Sequence, residues 1–156
     1  MNLKELYQDI ILEHGKSPRN FGKCSGYNHE AKGHNPLCGD QVQVFLKLNE
    51  KKNIEKLTFE GSGCAISMAS TSIMTELVQG KSFEVTKNII NEFLSMIKTG
   101  AEFKTKDLNE DQKIKIMSLA GVKQYPMRVK CATLSWHTLV SALNDKKEEV
   151  NTEKLD

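Results

Sequence analysis

Apolar and polar positions alternate along this chain with two different periods, one early and one late. Leu3, Leu6, Ile10 and Ile11 recur at helical spacing, which predicts a short amphipathic helix that Gly15 and Pro18 end. From Ser17 to Asn35 the chain is rich in Gly, Asn, Lys and His, with one short strand expected around Tyr27 to Lys32. Val42, Val44, Leu46 and Leu48 then alternate with Gln43, Phe45 and Lys47, a strand with one strongly buried face. After a turn at Asn49 to Asn53, Ile54 to Glu60 makes a second strand, and the two should pair as an antiparallel hairpin.

Beyond GSGC the period lengthens. Ala65 to Gln79 carries apolar residues at three and four spacing and Gly80 closes it as a helix. Ser82 caps a second, with Val85, Ile89, Ile90, Phe93, Leu94 and Ile97 on one side and Gly100 at its end. Ala101 to Asp107 reads as an exposed connection, followed by a helix from about Asn109 to Leu119 and a last one from about Met127 to Asn144. Strands early and helices late predict an α+β domain, with helices packed on one face of a small antiparallel β-sheet. The domain is expected to span residues 1–145, and the charged tail 146–156, nearly free of apolar residues, to be disordered.

Composition narrows the function. A chain of 156 residues suits one domain with a real core. Its 22 Lys and Arg nearly cancel 20 Asp and Glu, so the +2 balance gives no footprint for nucleic acid. No apolar run approaches a membrane span and Met1 to Gly15 lacks the layout of a signal peptide, so a cytoplasmic protein is expected. In that setting Cys24, Cys38, Cys64 and Cys131 read as reduced thiols, metal ligands or nucleophiles rather than disulfide partners.

Three of these cysteines fall at element ends. Cys38 lies in the turn before the first strong strand, Cys64 between a strand and a helix after GSG, and Cys131 near the start of the last helix. A helix N-terminus beside Cys64 favours a thiolate, and Arg128 and Lys130 push Cys131 the same way. With Asp40 the set offers three thiolates and one carboxylate, a donor combination that closes tetrahedrally around zinc. Taken singly, each cysteine also reads as a small buried hydrophobe, and without a CxxC pair spacing alone does not choose. Cys24, with no motif beside it, stays with the buried reading. His34 lies close enough in sequence to approach the metal, His137 sits far round the last helix from Cys131, and Trp136 reads as core. The Ser/Thr run from Ser67 to Ser72 has no base beside it and reads as helix packing.

NPLCGD, GSGCAISMASTSIM and PMRVKCATLSW, in this order and with the early EHGKSPRN, closely resemble the SufU branch of the IscU/NifU-like iron–sulfur cluster assembly proteins, over about residues 3 to 143. The resemblance implies the small IscU-like α+β sandwich, with Cys38, Asp40, Cys64 and Cys131 as the metal set. Where IscU-type relatives carry a histidine before the third cysteine, this chain has Lys130, and VKQYPMRVK does not reproduce their chaperone-binding motif. The stretch from about Phe83 to Leu119 matches an insertion typical of the SufU branch. The function implied is a zinc-dependent sulfurtransferase that accepts persulfide sulfur from a SufS-type, pyridoxal-phosphate-dependent cysteine desulfurase and passes it to a downstream cluster assembly scaffold. Within it Cys38 is the expected nucleophile, Cys64 and Cys131 the holders, Asp40 a labile fourth ligand, and Arg128 a cation offsetting the thiolates. An iron–sulfur cluster scaffold using the same ligands, and a zinc-stabilised adaptor, are the alternatives.

Overall fold

A computed structural model describes residues 2–155. Helix α1 (Leu3–Lys16) starts on an Asn2 cap and stops before Pro18, as its apolar spacing and breakers predict. Strands β1 (His29–Asn35), β2 (Asp40–Leu48) and β3 (Ile54–Ser62) follow, joined by tight turns and paired antiparallel throughout. The β2–β3 hairpin is the one the alternation predicts, with Val44 opposite Phe59 and Leu46 opposite Leu57. Helices α2 (Ala65–Val78), α3 (Phe83–Thr99), α4 (Glu110–Met117) and α5 (Pro126–Leu143) complete the helical layer.

Local chemistry places each helix end. Ser82 caps α3 by accepting from the Val85 amide at 3.1 Å, and Asn109 with Gln112 forms a reciprocal capping box on α4. The core lies between the sheet and the helices. Val42, Val44, Leu46, Leu57 and Phe59 from the sheet meet Ile73, Leu77, Ile89, Phe93, Leu134 and Leu139 from the helices. Trp136 is fully buried and stacks on Phe93 with centroids 4.0 Å apart, filling core as its position suggests. The hydroxyls of the Ser/Thr run serve packing: Ser70 accepts from Trp136 Nε1 at 2.9 Å, and Ser72 accepts from the Arg19 amide at 2.8 Å. No helix among the described residues is long and apolar enough to cross a membrane.

Three expectations change. Phe45, alternating with the inward residues, is nonetheless buried, because the loop before β1 folds over the outer face and sets Tyr27 edge-on against it, ring centroids 5.1 Å apart. The strand expected around Tyr27 to Lys32 runs later, to Asn35, where the turn gives the stop. The tail, expected to be disordered, instead adds a fourth strand, β4 (Val150–Asn151), parallel to β1, so the sheet is mixed with order β3-β2-β1-β4. A few directed bonds hold it rather than apolar bulk, which is why composition does not reveal it. Thr152 is buried and donates to Asn35 Oδ1 at 2.9 Å, and Glu153 pairs with Lys130 at 2.7 Å.

Candidate metal centre

The NPLCGD segment is the loop of the β1–β2 hairpin. Asn35 and Asp40 pair across its base, and the Asn35 carbonyl accepts from the amides of Cys38 at 3.3 Å and Gly39 at 2.9 Å. Gly39 sits at φ 73°, a left-handed conformation that a side chain would strain. The turn lifts Cys38 to the surface, half-buried, while Asp40, the first residue of β2, points inward and is fully buried.

A buried carboxylate requires partners. Asp40 Oδ1 accepts from the Cys64 amide at 3.0 Å, and Oδ2 accepts from Asn35 Nδ2 at 3.2 Å. The first bond depends on Gly63, which sits at φ 156°; a Cβ there would run into Asp40 Oδ1 and approach its Cα to 3.1 Å. The glycines of GSGC therefore let one turn of backbone close over the carboxylate and deliver Cys64 to the N-cap of α2. There Sγ accepts from the Ser67 amide at 3.5 Å. Cys131, on the second turn of α5, is buried and comes to the same place from the other layer, its Sγ 3.6 Å from Asn35 Nδ2.

The donor atoms of Cys38, Asp40 and Cys131 lie within 4.8 Å of one another. Around tetrahedral zinc, bonds of about 2.0–2.3 Å set ligand atoms roughly 3.5–3.8 Å apart, so a small inward movement closes this group on an ion. Cys64 stands outside that group and meets Cys131 thiol to thiol. The two sulfurs share unequally. The hydrogen bond from Cys131 lowers the Cys64 pKa from 9.0 to about 6, helped by the Ser67 and Ile66 amides and opposed by burial and by Asp40. Cys131 is pushed up, first by that same bond and then by burial. Arg128 is exposed and its guanidinium is held charged chiefly by Cys64 and then by Cys131, so a permanent cation faces the two sulfurs. The two sulfurs and one oxygen of Cys38, Asp40 and Cys131, with a cation beside them, form a group that could hold a metal ion and whose donors suit zinc.

Other residues fall elsewhere. His34 alternates outward from Asn35 on β1, and its Nδ1 lies 2.5 Å from Glu149. Lys130 reaches to Glu153. Cys24 is buried against the Phe45 carbonyl, its Sγ 3.9 Å from that oxygen, and His137 is held neutral by burial on α5. Asn35 was missed as a site residue. Its side chain touches Asp40 and Cys131, and its backbone carbonyl carries the Cys38 turn. The signal was available, since Asn-Pro opens the loop and its period-two position points inward with Ala31 and Gly33.

The profile of the NifU-like N terminal domain matches residues 6–132. The chain is 40% identical over 139 residues to the zinc-dependent sulfurtransferase SufU of Bacillus subtilis, spanning 88% of this chain and 89% of that one. It is 36% identical over 153 residues to the iron–sulfur cluster assembly scaffold protein IscU of Streptococcus pyogenes, covering 98% and 90%. Among solved structures, that of a putative iron–sulfur cluster assembly scaffold protein for the SUF system from Fervidobacterium islandicum superposes with a TM-score of 0.78 at 34% identity, covering 89% of this chain and 97% of that one. With the family profile spanning both hairpins and all the helices up to the third cysteine of the site, this chain belongs to the NifU-like N-terminal domain family.

Proposed function

We propose that the chain is a zinc-dependent sulfur carrier for iron–sulfur cluster assembly, loaded by a pyridoxal-phosphate cysteine desulfurase of the SufS type, with Cys38, Asp40, Cys64 and Cys131 as its metal set. The observation that carries this reading is the arrangement of the donors. Asp40 and Cys131 are buried and pinned from both layers; Cys38 and Cys64 are both half-buried, but Cys64 is held at a helix N-cap by the Ser67 amide while Cys38 rides the tip of a hairpin. Zinc held by these residues would supply charge that keeps thiolates deprotonated without oxidising them. Asp40 accepts hydrogen bonds from the Cys64 amide and from Asn35 Nδ2, which orient its carboxylate, and Cys38, on the hairpin tip, is the thiol free to act as nucleophile.

The Cys38 thiolate attacks the terminal sulfur of the desulfurase persulfide. The old S–S bond breaks, a new one forms on Cys38, and the electron pair returns to the desulfurase cysteine as thiolate. Arg128 faces this exchange and offsets its negative charge. A cluster scaffold is the second reading, favoured by the likeness to the streptococcal IscU. Lys130 weighs against it, since its ammonium has no lone pair for a metal and turns to Glu153. The test is desulfurase turnover with and without the chain. Stimulation lost in Cys38→Ala, with the fold retained, supports the carrier; stimulation intact in that variant points to an adaptor, and a stable, transferable cluster after anaerobic reconstitution to the scaffold.

A further inference from the structure

Between the tail and the donor atoms runs a short chain of buried hydrogen bonds. Thr152 is 2% exposed in a segment whose other polar residues face water, and its hydroxyl donates to Asn35 Oδ1 at 2.9 Å. With its oxygen so occupied, the Asn35 amide turns its two N–H groups the other way, to Asp40 Oδ2 at 3.2 Å and towards Cys131 Sγ at 3.6 Å. An amide rotated by half a turn would set its oxygen against the Asp40 carboxylate, which repels it, and its N–H groups against the Thr152 hydroxyl. The tail is itself pinned on both sides of Thr152. Val150 and Asn151 pair with Gly33 and His34, the Asn151 side chain accepts from the Glu153 amide at 2.9 Å, and Glu149 and Glu153 reach His34 and Lys130.

We propose that the C-terminal strand is a strap over the metal centre and that Thr152 is a positioning residue, fixing the Asn35 amide so that Asp40 and Cys131 are set for the ion before it arrives. The inference rests on the metal-centre reading. Partners one step behind metal ligands commonly change affinity by about 10–100-fold when removed, because they orient the ligand and hold its lone pairs in place. Thr152 stands one step further back and should act at the lower end of that range.

The test is zinc affinity by chelator competition, with the melting temperature of the metal-free protein measured alongside, in Thr152→Val, Thr152→Ser, Asn35→Ala and the Asn35→Ala/Thr152→Val double variant. Thr152→Val should bind zinc about tenfold more weakly, and Thr152→Ser should return to within about twofold of the parent. The metal-free melting temperature should fall in Thr152→Val only by the few degrees that one lost buried hydrogen bond costs and should match the parent in Thr152→Ser, the metal-free protein staying folded in both. In the Asn35→Ala background Thr152→Val should cost nothing further, since the bond it removes is already gone. Parental affinity in Thr152→Val, failure of serine to restore it, or a full additional loss in the double variant would overturn the strap while leaving the metal centre standing. A parent protein that takes up no zinc overturns both.

Discussion

Asp40 is buried with both oxygens occupied, and that arrangement tolerates only glycine at position 63. Gly63→Ala is expected to force the Cys64 amide off Asp40 and lower zinc affinity by at least about tenfold, with the helical circular dichroism signal retained. Zinc titration of that variant against the parent reads the effect. The neighbouring thiol makes a second prediction. Because the folded pKa of Cys64 is depressed to about 6 from 9.0, the folded metal-free protein sheds this proton before the unfolded chain does. Its contribution to stability is therefore present above pH 9, grows between 6 and 9, and is lost as pH falls through 6. Thiolate absorbance of the metal-free protein should show one group titrating near pH 6, and Cys131→Ala, by removing the largest cause, should move it up towards 9.

Cys64 at the N-cap of α2 meets Cys131 on α5, so what joins the two helices governs that contact. Trp136 is central: it stacks on Phe93 and donates to Ser70 on α2. Trp136→Ala is expected to cost about 3–5 kcal/mol in denaturant unfolding. Removing the α3 cap in Ser82→Ala should cost about 1 kcal/mol by the same measurement. These elements were legible because their signals are local. The period of α3, the caps at Ser82 and Asn109, and the alternation of β2 each follow from a few adjacent residues. Strand β1 was only half legible, since HEAKGHN offers little apolar alternation and is a strand because β2 and β4 bond to it from both sides. Strand β4 was not legible at all. Its two residues are placed by pairing with Gly33 and His34 and by a single buried hydroxyl, and charge-rich composition conceals contacts of that kind.

The molecule as a whole brings the ends of a hairpin, a strand–helix junction and a helix start to one place, although they lie far apart along the chain. Motif and resemblance single out Cys38, Asp40, Cys64 and Cys131 in the sequence, and the structure sets the donor atoms of Cys38, Asp40 and Cys131 within 4.8 Å of one another. The contacts that surround them could not be read from the sequence. That Asp40 is buried and anchored while Cys38 sits half-buried at the hairpin tip depends on which way the hairpin turns, and the share of the proton between Cys64 and Cys131 depends on two layers meeting. Asn35 and Thr152 escaped for the same reason, being polar residues whose meaning lies in what they touch. The central claim is that these four donors hold one zinc ion, and X-ray absorption at the zinc edge of the purified protein tests it most directly. The account predicts one zinc per chain with three sulfurs at about 2.3 Å and one oxygen at about 2.0 Å, the sulfur count falling to two in Cys38→Ala. A first shell of nitrogen and oxygen alone, or a sulfur count unchanged in that variant, would contradict it.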